Sequence, residues 1–181
     1  NGGLISIDDL KNYVAVWREP LSSDYRGNKV ITMGPPSSGG VHIIQMLNIL
    51  ENYKLNEFEH NSSEYINLLT EVMKHAYADR SKYLGDPDFY EVPIEKITSP
   101  NYAGEIFNSI KIGSSIPSKN IYPGMYLKDE SPETTHFSVA DKNGNVVSST
   151  YTLNSTFGSG VVIKGTGIIM NNEMDDFSAA P

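Results

Sequence analysis

Cysteine is absent from all 181 residues, which removes thiol nucleophiles, disulfide frameworks and thiolate zinc sites together. The absence is silent on compartment, because a cysteine-free chain tolerates either redox environment. No apolar run approaches the ~18 residues of a membrane-spanning helix. Positive charge is scarce: 14 Lys and Arg face 22 Asp and Glu, for a net charge of −8. That balance argues against a nucleic-acid partner, whose phosphates are held mainly by Lys and Arg. The single tryptophan, Trp17, and His42, His60 and His75 stand at spacings that define no motif. There is neither an initiator methionine at Asn1 nor a basic-then-apolar leader, and the last residues, Ala179-Ala180-Pro181, carry no stop signal. The expectation is a segment of a longer chain, incomplete at both ends.

What is present suits a packed fold. The 39% hydrophobic and 10% aromatic content is too high for a disordered chain, and the length fits one domain or a piece of a larger one. Ser6 is a candidate N-cap for a short helix over Ile7–Tyr13. Val30–Met33 reads as a short buried strand stopped by Gly34-Pro35-Pro36. Val41–Leu50 is apolar around most of its circumference and predicts a buried helix with a serine-capped start. The clearest helix runs from about Ser63 to Leu84, where Tyr65, Leu68, Leu69, Val72, Ala76, Tyr77 and Tyr83 recur at three- and four-residue steps. A weaker helix spans Tyr102–Ile112, and residues 113–133 read as loop. Beyond Glu133 the texture turns to strands, so helices precede sheet and the fold class is α+β in layers.

Two strand-like runs, Thr134–Ala140 and Val146–Asn154, flank Asp141-Lys142-Asn143-Gly144-Asn145. Asn-Gly between such runs signals a hairpin whose loop holds two or three residues. The choice shifts the register by one and turns every side chain to the opposite face. A three-residue loop with Gly144 left-handed sets Phe137 against Ser149, Val139 against Val147 and Thr135 against Tyr151. It also gathers Thr134, His136, Ser138, Ser148, Thr150, Thr152 and Asn154 on one face. This register separates apolar from polar better and is preferred. Thr134 then lies opposite Thr152, with Cβ atoms roughly 4.5–5.5 Å apart. A solvated sheet face, on which strand propensity favours threonine, accounts for the pattern equally well.

Several local groupings invite chemistry. His136 beside Ser138 and Thr134 suggests a nucleophile pair, but nothing supplies the orienting carboxylate, so a structural histidine is the favoured reading. Asn171-Asn172-Glu173-Met174-Asp175-Asp176 concentrates oxygen ligands without the spacing of an EF-hand. Such carboxylates could hold Ca²⁺ or a cationic group such as an α-ammonium; as a bare motif the stretch is an acidic turn. Pro35-Pro36-Ser37-Ser38-Gly39-Gly40 precedes a helix but lacks the Lys-Ser/Thr of a phosphate loop.

Taken together, these segments resemble the gamma-glutamyltranspeptidases of the N-terminal-nucleophile hydrolase superfamily. The likeness is carried by Pro35–Gly40, Tyr77-Ala78-Asp79-Arg80-Ser81, Tyr83–Phe89, Thr134-Thr135-His136-Phe137-Ser138-Val139, Tyr151–Gly158 and Asn171–Ser178. The resemblance implies part of an αββα four-layer sandwich, made as one chain that cuts itself between Glu133 and Thr134. Residues 1–133 would be the C-terminal part of a large subunit and residues 134–181 the N-terminal part of a small one, joined as a heterodimer. Thr134 would be the nucleophile, and its new α-amino group, with an ordinary pKa of ~7.7–8.0, its base. By the same resemblance Thr152 orients the nucleophile, while Asn154, Glu173 and Asp176 hold the α-amino end of a γ-glutamyl donor such as glutathione. Water or an amino-acid or peptide acceptor would take the acyl group, with no cofactor or metal. The resemblance also implies periplasmic or secreted localisation.

The family's oxyanion Gly-Gly pair and its neighbouring Ser-Ser pair do not follow Thr134 here, and Arg18, Arg26 and Arg80 lack the context of its carboxylate-binding arginine. Losing the oxyanion donors alone costs ~10²–10³ in rate, so this segment by itself is expected to be inactive. The rival readings are a related acylase or polyglutamate-acting hydrolase, and a non-catalytic protein binding Ca²⁺ or an amine.

Overall fold

The computed structural model describes residues 5–121 and 134–173. They belong to two compact units, one within Asn1–Leu127 and the other within Lys128–Pro181.

In the first unit, α1 (Ile7–Asn12) starts from the expected cap. The Ser6 hydroxyl accepts from the Asp9 amide at 3.1 Å, and the Asp9 carboxylate accepts from the Ser6 amide at 2.7 Å. These bonds close a capping box and hold the Asp9 carboxyl below the usual carboxylate range.

Next comes a hairpin rather than a lone strand. β1 (Leu21–Tyr25) pairs antiparallel with β2 (Asn28–Thr32) across Arg26-Gly27. Both turn residues have positive φ, 49° and 78°, as a tight two-residue hairpin requires. The expected buried strand Val30–Met33 is corrected on two counts. It runs Asn28–Thr32, and Ile31 and Met33 are each 64% exposed because a two-stranded ribbon buries one face only. Helices therefore do not simply precede sheet.

The strand exit leads into α2 (Gly39–Leu50). Its serine cap is also corrected: Ser38 adopts the helical region and makes no capping bond, while the Ser37 hydroxyl accepts from the Gly39 amide at 3.4 Å. A capping side chain needs extended backbone to reach the first amides, and Ser38 lacks it. A Cβ on Gly40 would sit 1.8 Å from the Met33 carbonyl oxygen, so the helix start rests directly on the strand exit.

The long helix α3 (Ser63–Tyr83) matches expectation within a residue. Ser62 caps it by accepting from the Tyr65 amide at 3.2 Å, and extended backbone at Leu84 ends it just before Gly85. After the short α4 (Ile94–Ile97), α5 (Pro100–Ser109) begins earlier and ends earlier than the periodicity suggests. Ser99 caps it, Pro100 supplies the preset φ of a first turn, and Ile110 turns extended.

One core holds α2, α3 and α5: Ile49, Leu50, Tyr53, Leu68, Val72, Ala103, Ile106 and Ile110. Phe107 meets the Tyr53 ring edge-on at 4.8 Å. Polar groups are buried beside this core. Asp79, 1% exposed, accepts from Gln45 Nε2 and from the Tyr102 hydroxyl, the latter at 2.9 Å. Burial pushes its carboxyl pKa up, and the two donors only partly oppose that. Glu71, wholly buried, pairs with Lys74 at 2.7 Å and accepts from the Ile116 amide at 3.3 Å. Lys74 also donates to Ser115 Oγ at 3.0 Å and the Ile116 carbonyl at 3.1 Å, tying that loop to α3.

His42 is 6% exposed, and its Nε2 has no hydrogen-bond partner among the described residues. Burial, then the charge of Arg80, lowers its pKa from 6.5 to about 4. The folded value is the lower one, so this stability is present above pH 6.5 and is lost as pH falls toward 4. The span of about 2.5 units corresponds to about 3 kcal/mol at the acid end. Denaturant unfolding of the full-length protein and of His42→Leu at pH 7.5 and pH 4 should show the variant losing less by that order. Equal losses would remove His42 from the account.

In the second unit, β3 (Thr134–Ala140) pairs antiparallel with β4 (Val146–Thr152) in the three-residue-loop register. Thr135 faces Tyr151, Phe137 faces Ser149 and Val139 faces Val147. Gly144 has φ 84°, left-handed as expected. Asp141 braces the loop, its carboxylate accepting from the amides of Asn143 at 2.8 Å and Asn145 at 2.9 Å.

Candidate functional site

The second unit carries most of the chemistry-bearing residues. Thr134 opens β3 directly across from Thr152, at the end of β4. Along the same face the His136 ring lies between hydroxyls, with Nδ1 2.7 Å from Thr150 Oγ1 and Nε2 3.0 Å from Ser148 Oγ. Ser138 Oγ stands 3.3 Å from Ser148 Oγ. Hydroxyls thus engage both ring nitrogens, and this hydrogen-bonded row fits the structural reading of His136 rather than a catalytic pair. The opposite face carries Phe137 and Tyr151, with ring centroids 6.4 Å apart, beside Val139 and Val147.

Beyond β4 the chain turns sharply. Asn154 has φ 73°, a left-handed conformation asparagine tolerates better than most residues, and its amide donates to Thr152 Oγ1 at 2.9 Å. A loop follows, then a short return. Val162 bridges Ile169, and the Met170 amide donates to the Val161 carbonyl at 2.9 Å. Gly158 makes the return possible: with φ 53°, a Cβ there would lie 2.2 Å from the Met170 carbonyl oxygen.

The return brings residues 171–173 alongside Leu153–Ser155. The Asn172 amide donates to the Leu153 carbonyl at 3.1 Å, and its own carbonyl accepts from Asn154 Nδ2 at 3.2 Å. Its side chain accepts from the Ser155 amide and donates to Ser155 Oγ, both at 3.1 Å. Asn171 Oδ1 receives the Glu173 amide at 3.2 Å.

Of the sequence-predicted site residues, Thr134 and Thr152 face one another across the hairpin, and Asn154 and Glu173 are gathered at its open end. Glu133 and Asp176 lie outside the described residues. Among the described residues, no group of three or more His, Asp or Glu is placed to hold a metal ion. In the first unit Arg18 makes a two-pronged pair with Asp88 at 2.7 and 3.1 Å, and Arg26 donates to the Tyr53 carbonyl at 2.7 Å. Sequence reasoning missed Asn172 and Gly158. The first appeared only as an oxygen ligand, and the second shows its importance only once Met170 returns.

The chain is similar to proteins already known. All of residues 1–181 match the family model described as Gamma-glutamyltranspeptidase. A glutathione hydrolase proenzyme of Escherichia coli is 53% identical over 181 residues, covering 100% of this chain and 31% of that protein. Among solved structures, the gamma-glutamyltranspeptidase of Helicobacter pylori superposes with a TM-score of 0.66 at 45% identity, over 73% of this chain and 38% of that one. A cephalosporin acylase from Bacillus halodurans reaches 0.77 at 32% identity, over 99% of this chain and 31% of that one. The mixed helix-and-sheet fold is thus that of the N-terminal-nucleophile hydrolases. Within that class the chain belongs to the gamma-glutamyltranspeptidase family. It spans about a third of the length of the curated relatives it matches.

Proposed function

We propose that the full-length protein is a gamma-glutamyltransferase and glutathione hydrolase that matures by cutting itself between Glu133 and Thr134. In maturation, Thr134 Oγ attacks the Glu133 carbonyl carbon, the peptide nitrogen leaves as the new α-amine, and water hydrolyses the ester. Residues 1–133 then end the large subunit and Thr134 begins the small one. In turnover the α-amine takes the hydroxyl proton while Oγ attacks the γ-carbonyl carbon of the donor. The departing amine collects that proton, leaving a γ-glutamyl ester on Thr134. Water releases glutamate; the amino group of an amino acid or peptide gives a new γ-glutamyl amide.

Thr152 orients the nucleophile. Asn154, Glu173 and Asp176 receive the donor's α-ammonium, and a site that buries such carboxylates discriminates strongly against donors lacking the ammonium. Oxyanion donors come from outside these 181 residues, so the segment alone is inactive. The family likeness also supports export to the periplasm or beyond the cell. Among the described residues no helix is long and apolar enough to cross a membrane.

The observation that carries this reading is the pairing of Thr134 with Thr152, within a chain whose relative is named a glutathione hydrolase proenzyme. Intact masses of the full-length protein should show two chains meeting at Glu133 and Thr134, and the purified pair should release glutamate from glutathione. A folded but unbroken chain overturns the proposal. The likeness to a cephalosporin acylase over 99% of the chain supports a second reading, in which the donor is an acyl amide without an α-ammonium. Comparing γ-glutamyl-p-nitroanilide with glutaryl-p-nitroanilide separates them: a preference for the first supports the transferase, and parity supports the acylase.

A further inference from the structure

We propose that Asn172 is the positioning residue of the donor site, holding the Glu173 carboxylate in place relative to Asn154; this rests on the transferase reading above. Four of the hydrogen bonds of this one residue, among the described residues, reach three consecutive positions. Its amide reaches Leu153 O at 3.1 Å, its carbonyl takes Asn154 Nδ2 at 3.2 Å, and its side chain closes a reciprocal pair with the Ser155 amide and hydroxyl.

The geometry fits positioning rather than simple loop closure. Asn154 is held from both sides: its amide is tied to Thr152 Oγ1 at 2.9 Å and its side-chain amide to Asn172. Asn154 Nδ2, an N–H donor that would repel an ammonium, is thereby turned onto the Asn172 carbonyl. Oδ1, the acceptor end of the same amide, is the atom through which the proposed function has Asn154 receive the ammonium. On the far side, Asn172 directly precedes Glu173, so fixing its backbone and side chain fixes where that carboxylate begins. The side chain uses its acceptor and a donor on the same serine, a fit neither aspartate nor leucine can reproduce. Asn172 touches no reacting atom in this scheme; it acts through Asn154 and Glu173.

The test uses the full-length protein, two substitutions and two substrates. Asn172→Ala should raise KM for γ-glutamyl-p-nitroanilide roughly ten- to a hundred-fold, the scale on which a displacement of about 1 Å is felt. It should leave cleavage before Thr134 intact. On glutaryl-p-nitroanilide, which has no ammonium to place, the same variant should match the parent, so its preference between the two substrates collapses. Ser155→Ala removes the hydroxyl that Asn172 Nδ2 reaches, keeps the Ser155 amide, and should cost about 2- to 10-fold in the same preference. A variant that slows both substrates equally overturns the positioning role, as does one that keeps the parent's preference. If Asn172→Ala does not fold, Ser155→Ala decides by the same criterion. Failure of the transferase reading looks different: the parent itself would show no preference for the γ-glutamyl substrate.

Discussion

Replacing Thr134 by alanine is expected to leave the full-length protein in one piece and to lower glutamate release from glutathione by roughly 10⁴-fold or more, the scale on which loss of a nucleophile acting in a catalytic unit is felt. Both effects follow from a single oxygen. In the proposed mechanism no ester with Glu133 can form without Oγ, and without that ester the α-amine that would serve as base is never freed. Thr134→Ser keeps the oxygen and should still mature, only more slowly. The threonine methyl restricts χ1, so its hydroxyl is partly oriented, whereas serine must be ordered on the way to attack. The measurement is an intact-mass time course of the purified parent and both variants. Cleavage of the Thr134→Ala chain at the same bond would assign the cut to another group or to a contaminating protease. Failure of Thr134→Ser to mature while Thr134→Ala behaves as expected would show that the methyl is itself required.

Gly158→Ala has the next largest expected effect, and it acts at a distance from the nucleophile. The substitution meets two obstacles at once. A φ of 53° costs an L-residue roughly 1–2 kcal/mol, and the new Cβ falls 2.2 Å from Met170 O and 3.0 Å from Asn171 Cα. Both contacts are to backbone, so the return strand itself must move, carrying Asn171–Glu173 away from Leu153–Ser155. KM for a γ-glutamyl donor should rise about 10²-fold, with a lower unfolding midpoint. Gly160→Ala is the control: its φ is 68°, but a Cβ there meets nothing within 4 Å. It bears the conformational cost without the collision. Donor KM values within threefold of one another for the two variants would remove the close approach as a determinant of the site.

Legibility in the sequence followed the kind of force that shapes each element. The register of β3 and β4 was readable because one face of the hairpin is polar and the other apolar, and a shift by one residue would mix them. α3 was readable for a similar reason, since Leu68, Val72 and Ala76 are buried at helical spacing. Apolar periodicity says nothing, however, about Glu71 and Asp79, buried in the same helix because Lys74, Gln45 and Tyr102 satisfy them. The first hairpin escaped notice because Arg26 occupies a positive-φ turn position usually given to asparagine, aspartate or glycine. β1, Leu-Ser-Ser-Asp-Tyr, also has weak strand propensity. At the site, residue types and spacing led no further than a hydroxyl-rich strand face and an acidic turn; the roles came from family likeness. The bonds that join the two, through Asn172, depend on a return of the chain over 17 or so residues that no local pattern encodes.

The turn at Lys142-Asn143-Gly144 decides what stands nearly a whole strand away from it. Were the same sequence to close on Asn143-Gly144 alone, Leu153 would stand across from Thr134 and Thr152 would move to the face of Phe137, with composition and propensity unchanged. What holds the turn at three residues is the Asp141 carboxylate on the amides of Asn143 and Asn145 and the left-handed Gly144. These two positions at the tip therefore act on the far end of the hairpin, and substitutions at Lys142 should be tolerated more freely than at Asp141 or Gly144.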